Sequence, residues 1–470
     1  MRLLRFAFAL CLAVSASAQD ARTLRDRAQE YLAGLLKLDS SNPPGNETRV
    51  AAYLKAIADA NGIECELLGG DPARLNFVAR LRGSGRSRPL LLVAHSDVVP
   101  AERAQWTVDP FGAEIRDGFM YGRGAEDTKD LLAAEMAVLV ELKNSGVALS
   151  RDVILLAEAD EESGSTGIRW LLENAWTKID AEFALNESGT IIDAPSGARI
   201  FRIQTSEKIP TRVTLVARGS AGHGAFPRPD NAVVRLAGAT ARLAAAVQPV
   251  QVDATTRAYF GGLSRLPDYA WLVPLLPRLN VPATALQAAA LIRSHEPDLD
   301  SLLRTTAVPT MLNAGQKINV IPTTAEAQVD VRRLPGEPRE EVLARIRRIV
   351  NDRAVEVTPV AGDEMPAAPA SPLTTQMYAA MQLVLGQSHP KALVIPYMSR
   401  GASDSSLLRA KGVPSYGVPV FLQETSGDRA HGNDERRSVE NLRTGTELLL
   451  KIVLAVAEQR QDPPASVPLR

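Results

Sequence analysis

The 470-residue sequence predicts an α/β fold, a mostly parallel sheet covered by helices, with a smaller α+β unit inserted into it. Three observations carry that prediction. RPLLLVAHSD (88–97) and RDVILLAEAD (151–160) are continuous apolar runs, the pattern of strands buried on both faces. Between them TKDLLAAEMAVLVELKNSG (128–146) reads as a long helix, apolar around most of its circumference and stopped at Gly146. Strand, helix and strand of this kind build a parallel sheet under helices. From residue 209 the pattern changes to strict alternation, as in TRVTLVARGS (211–220), which marks a sheet exposed on one face.

The elements follow in order. In MRLLRFAFALCLAVSASA, Arg2 and Arg5 precede an apolar stretch that closes on Ala16-Ser17-Ala18. This is the three-part pattern of a secretory signal peptide cut after Ala18, so an exported, periplasmic or secreted protein is expected. Residues 19–208 form the first part of the main domain. The inserted unit spans 209–362, with strands at 211–220, 309–320, 324–333 and 354–360 and helices at 231–246 and 338–352. A Pro- and Ala-rich helical stretch at about 250–305 separates its strands, and the basic run in ARIRRIV reads as a solvated helix face. Residues 363–460 return to α/β character, with a helix at 371–387 and apolar runs at 391–396 and 413–421. QDPPASVPLR (461–470) reads as a loose tail.

Composition narrows the function. Removing Arg2 and Arg5 from 53 basic residues leaves 51 against 54 acidic ones, a net charge near −3. That balance argues against nucleic acid or an anionic membrane as partner. No eighteen-residue apolar span follows residue 18, so no membrane anchor is expected. Cys65 is the one cysteine beyond the leader, which leaves no internal disulfide.

The polar clusters fall just after the apolar runs, where ligands bind in open α/β sheets. AHSDVVP puts His95 and Asp97 two apart, within reach of each other on an extended chain; the pair suits a metal-bound imidazole steadied by a carboxylate, or a satisfied histidine at a strand end. In YGRGAEDTKD, Asp127 precedes the long helix as an N-cap or as a carboxylate bridging two cations, with Gly122 and Gly124 allowing close approach. LLAEADEESGS (155–165) sets Glu158, Asp160, Glu161 and Glu162 in five positions, a repulsive cluster that water or a dication would relieve. Of the adjacent pair, one glutamate can ligate while the other serves as general base. FALNESG closes on Glu187, and RAHGNDERRS places His431 in a glycine-containing loop. Such a His/Asp/Glu set suits Zn²⁺, with Co²⁺ or Mn²⁺ as alternatives. No phosphate loop and no G-x-S-x-G elbow is present.

Taken together, AHSDVVP, YGRGAEDTKD, EADEESGS, NESG, GSAGHGAFP and AHGNDER resemble the dinuclear zinc amidohydrolases and exopeptidases, the family of aminoacylase, carboxypeptidase G, carboxypeptidase S and succinyl-diaminopimelate desuccinylase. WTVDPFGAEIRDGFMYGRGAEDTKD is most like the carboxypeptidase S branch. The resemblance implies two Zn²⁺, one on His95 and Glu187, the other on Glu162 and His431, with Asp127 bridging. It implies that Asp97 orients His95, that Glu161 is the general base, and that the Asp127–Thr128 peptide is cis. His223, in GSAGHGAFP, would reach the substrate carbonyl across a homodimer interface made by the inserted unit. Asn319, Arg332, Arg400 and Gly401 would contact substrate, with Arg332 or Arg400 taking a free carboxylate. The chain departs from the family in Asp130, where Gly is common, and in Asn186-Glu187, where some relatives carry Asp-Glu. Glu187 is the expected ligand, since an amide binds Zn²⁺ poorly. His295 and His389 match no motif and are expected on the surface.

The expected activity is metal-dependent hydrolysis of an amide bond in short peptides or N-acyl amino acids, as a carboxypeptidase or dipeptidase. The alternative is an N-acyl-amino-acid amidohydrolase. Outside enzymes, a non-catalytic metal-binding relative would more readily have lost Glu161 or a histidine.

Overall fold

A computed structural model describes residues 22–459, apart from 363, 364, 425, 426 and 428. The expected leader and the tail from 461 lie outside the described residues. The largest sheet has nine strands. In spatial order eight of them are Glu64–Leu68, Asn76–Leu81, Val153–Glu158, Leu90–His95, Phe183–Asn186, Ser415–Gly417, Arg199–Glu207 and Leu393–Ser399; Thr190–Asp193 also pairs with Arg199–Glu207. Its centre is parallel, Val153–Glu158 through Ser415–Gly417, and antiparallel strands flank it. The α/β class therefore holds, with a sheet that is mixed at its margins.

The continuous apolar runs have a direct cause. Leu90, Leu92 and Ala94 enter a core with the helices on one face, while Leu91 and Val93 enter a second core on the other. Val153–Glu158 divides in the same way. The helix Lys129–Ser145 lies against the first face and ends where Gly146 turns left-handed, at φ 64°. Truncating Leu139, fully buried on this helix, to alanine would cost about 2–5 kcal/mol.

The smaller, antiparallel sheet has five strands, Thr306–Ala314, Ile209–Pro210, Thr324–Arg333, Val213–Arg218 and Val355–Pro359. Alternate residues of Thr324–Arg333 are buried beneath the helices Ala232–Ala245 and Arg339–Val350, which is the period-two pattern read from the sequence.

Two expectations are corrected. The helical stretch at 250–305 was expected to belong with these inserted strands. Instead Tyr259, Phe260, Leu263 and Ile292 pack on Ile200, Ile395 and Tyr397 of the large sheet. An amphipathic pattern says which side of a helix is apolar, not which sheet covers it. His389 is only partly at the surface: its ring is half-buried, 5.0 Å from Phe201, and burial lowers its pKa. His295 is exposed, stacked 4.4 Å from Trp271.

Candidate metal centre and active site

Three adjacent parallel strands end at one edge. Leu90–His95 lies between Val153–Glu158 and Phe183–Asn186, so His95 sits at the middle of that edge. Glu161 and Glu162 follow one neighbouring strand and Glu187 the other. Asp127 stands two residues before the helix Lys129–Ser145; Thr128 holds the capping position without a side-chain bond, and the Asp127–Thr128 peptide is cis. His431 arrives from a loop, with φ 62°, ahead of Arg436–Ser438, which pairs with Phe119–Tyr121.

The carboxylate of Asp127 faces both histidines. Its Oδ1 lies 2.9 Å from His95 Nε2 and its Oδ2 3.2 Å from His431 Nε2. His95 Nε2 is also 3.6 Å from Glu187 Oε2, and His431 Nε2 is 3.0 Å from Glu162 Oε1. Glu161 closes the cluster: one donor atom each from His95, Glu161 and Glu187 lies within 4.8 Å of the others, as for His95, Asp127 and Glu162. Each oxygen of Asp127 thus serves a different imidazole, and each imidazole a different glutamate.

The charges fit a cation-binding site. Burial and the neighbouring carboxylates push Glu187 up to about 8, although His95 opposes them. Burial and the Glu187 charge hold Glu161 well above the usual carboxylate range. Burial works against protonated His95, yet the contact with Asp127 and the charge of Glu187 raise it well above the usual imidazole range. His431 is raised to about 10 by Asp127 and Glu162. Behind them Glu158 Oε2 is buried with no hydrogen-bond partner among the described residues. Five carboxylates and two imidazoles in this space would be relieved by divalent cations, and no thiolate is among them.

One expected contact is corrected. The acceptor for His95 Nδ1 is the main-chain carbonyl of Asp97, at 2.9 Å; its carboxylate oxygen is 3.7 Å away. That carboxylate instead accepts the main-chain N–H groups of Glu161 and Glu162, at 3.1 and 3.2 Å. Asn186 turns its side chain to Ser405 Oγ, at 3.0 Å, leaving Glu187 toward His95.

A cavity of about 530 Å³ adjoins the cluster, lined among others by Asp127, Glu187, Arg202, Tyr397, Arg400 and Gly401. Arg400 pairs with Asp298 at 2.5 Å. Arg202 donates to Thr190 Oγ1 at 2.7 Å and lies 4.8 Å over the Tyr397 ring. His223, Asn319 and Arg332 do not line this cavity. His223 and Asn319 sit together on the exposed ribbon of Gly222–His223 and Val320–Ile321, where Gly224 N donates to Asn319 O at 2.8 Å. Arg332 is bound to Asp330 on the smaller sheet, at 3.1 Å.

The sequence reading missed Glu435. It is fully buried, pairs with Arg123 at 2.6 Å, and accepts the N–H groups of Gly124, Glu126 and Asp127 at 3.0, 2.7 and 3.1 Å. It fixes the loop that carries Asp127. Nothing local in AHGNDER separates it from a surface acid, since all its partners lie over 300 residues away.

A sheet of this topology, with two imidazoles and several carboxylates converging at its carboxyl edge, defines a metal-dependent hydrolase. The match of residues 91–455 to the model of peptidase family M20/M25/M40 makes the class specific: the chain belongs to that family. It is 29% identical over 392 residues to the human N-fatty-acyl-amino acid synthase/hydrolase PM20D1, covering 82% of this chain and 77% of that protein. It is 28% identical to the probable carboxypeptidase S-like 2 of Dictyostelium discoideum, covering 78% of this chain and 72% of that one. The M20 family metallo-carboxypeptidase Sso-CP2 of Sulfolobus solfataricus has the same fold, with TM-score 0.65 and 20% identity over 91% of this chain and 99% of that one. The chain is accordingly a metal-dependent enzyme that hydrolyses amide bonds. Among the described residues no helix is long and apolar enough to cross a membrane.

Proposed function

We propose that the enzyme cleaves the amide bond of short peptides or N-acyl amino acids, as a carboxypeptidase or dipeptidase, with two zinc ions. One would be held by His95 and Glu187, the other by His431 and Glu162, with Asp127 between them; Co²⁺ or Mn²⁺ could substitute. The observation that carries this reading is the division of the Asp127 oxygens between two imidazoles. When bound, the ions supply charge that acidifies a water and polarises the scissile carbonyl. Glu161 takes the proton of that water and returns it to the leaving amine. Asp97 holds Glu161 and Glu162 in place through their main-chain N–H groups.

His223 faces solvent on its ribbon, so its role as an oxyanion donor needs a second subunit. The outer strand of the smaller sheet, Thr306–Ala314, leaves Val308, Met311 and Leu312 exposed, which supports a homodimer through that edge. Arg332 and Asn319 would join the site in the same assembly, while Arg400 and Gly401 contact substrate from within one chain. The second reading is an N-acyl-amino-acid hydrolase, favoured by the likeness to the human N-fatty-acyl-amino acid synthase/hydrolase. The leader pattern at Met1–Ala18 supports export to the periplasm or medium.

The test is elemental analysis of the purified protein, with turnover of dipeptides and N-acyl amino acids before and after chelation. Close to two zinc per chain and chelator-sensitive hydrolysis are expected, and the preferred substrates choose between the readings. No bound metal, with no turnover after Zn²⁺ or Co²⁺ is added, would overturn the proposal.

A further inference from the structure

Glu161 and Glu162 stand on a tight turn that Asp160 enters with φ 71°. Two buried carboxylates shape this turn. Asp97 accepts the Glu161 N–H on Oδ1 and the Glu162 N–H on Oδ2. Asp160 closes the far side, its Oδ2 accepting the Thr166 N–H at 3.2 Å and its main-chain carbonyl accepting the N–H groups of Gly164 and Ser165. Buried like charges this close repel, and each needs donors.

One neutral group serves both. Asn42 Nδ2 donates to Asp97 Oδ2 and to Asp160 Oδ1, each at 2.8 Å, and so spends both amide protons on the two acids. Asn42 is only 5% exposed. Its own main chain is tied to the strand end that carries Asp97: Asn42 N donates to Val98 O at 2.8 Å, Val98 N to Ser40 O at 3.2 Å, and Ser40 Oγ to Ser96 O at 2.7 Å. Arg74, itself paired with Glu47, adds a second donor to Asp160 Oδ1 at 2.7 Å. Asn42, Glu47 and Arg74 all precede residues 91–455, the part of the chain that matches the family model.

We propose that Asn42 is a positioning residue: its amide clamps Asp97 to Asp160 and thereby sets the turn on which Glu161 and Glu162 act. This rests on the roles proposed above for those glutamates. The amide adds two donors and no charge. A carboxylate in its place keeps the shape but sets a third negative charge between the acids, and a methyl group removes both donors.

The test compares Asn42→Asp and Asn42→Ala with the wild-type full chain, using a dipeptide substrate, chelator competition for bound Zn²⁺, and thermal unfolding. The expected result is about a tenfold fall in kcat with KM within about twofold, the low end of the range for groups bonded directly to metal ligands, because Asn42 acts one contact further back through Asp97. Zinc should also be stripped from both variants at a chelator concentration about tenfold lower, because Glu162 is displaced along with Glu161. Asn42→Ala covers the case in which the added charge prevents folding. Unchanged kcat and chelator midpoints would overturn the proposal, as would activity lost only in proportion to unfolded protein. If the wild type hydrolyses no amide with Zn²⁺, Co²⁺ or Mn²⁺, the role of Glu161 falls instead. Chelator competition then still decides whether Asn42 places Glu162.

Discussion

Asp130, buried in the first turn of the helix behind Asp127, offers the sharpest test of how this site is braced. Arg437 lies six residues after His431. Arg437 Nε donates to Asp130 Oδ2 at 2.8 Å, with Asp130 1% and Arg437 7% exposed. The guanidinium also lies 5.1 Å over Phe421. The pair therefore links the segments that supply two of the proposed ligands. Breaking a buried pair from one side costs about 3–5 kcal/mol, because the remaining charge is uncompensated. Burial already pushes Asp130 up to about 7 against the pull of Arg437, so without Arg437 the carboxyl takes a proton near neutrality and the loss falls at the low end. Arg437→Met should thus destabilise by about 3 kcal/mol at pH 7.5, read by urea unfolding. The double variant with Asp130→Ala should recover about 2 kcal/mol of that, a coupling typical of contacting residues. The sign with pH follows. An acid whose folded pKa, about 7, exceeds its unfolded value near 3.9 favours the folded state below about pH 4, and that contribution is lost as pH rises toward 7. The deficit of Arg437→Met should accordingly shrink in acid, where Asp130 is neutral. A deficit under about 1 kcal/mol, or a double variant no better than the sum of the single ones, would show that Arg437 and Asp130 do not brace the site as a pair.

Glu161→Gln should keep its metal by elemental analysis yet lose about 10²–10⁴-fold in kcat; a variant retaining turnover would remove Glu161 as the base. Arg202 has no carboxylate partner among the described residues. Arg202→Met should therefore lower kcat/KM by more than about tenfold for substrates with a second carboxylate, and much less for neutral ones, as a paired substrate panel would reveal. On the proposed homodimer, Leu312→Asp, which puts a charge on the exposed edge strand, should halve the mass seen by sedimentation and lower kcat by about 10²–10³-fold, because His223 would no longer reach a second subunit's site. An active monomer would place the oxyanion donor within one chain.

How far the sequence could be read depended on the range of the contacts involved. The helix Lys129–Ser145 was legible because its apolar circumference and its stop at Gly146 are local. His95, the Glu161–Glu162 pair and Glu187 stood out as candidates because each lies at or soon after an apolar run, and the end of such a strand is where a parallel sheet gathers ligands; their division into ligands and base came from the family resemblance. His431 has no such strand before it and showed only as a histidine in a glycine-containing loop. What stayed hidden is the layer behind the ligands. Asn42 meets Asp160 across 118 residues, Glu435 meets Gly124 across 311, and Arg437 meets Asp130 across 307. No local pattern encodes such a meeting: an asparagine before two prolines reads as a turn, and an acid between Asp434 and Arg436 reads as surface charge. The placement of the helices from 254 to 301 failed for the same reason, since their apolar faces suit either sheet. Residues proposed to touch the metals were thus easier to find than those that hold them still, although a displacement of about 1 Å in the holding layer is enough to cost turnover. The Asn42 and Arg437 variants are informative for that reason: they leave every proposed ligand in place and change only what braces it.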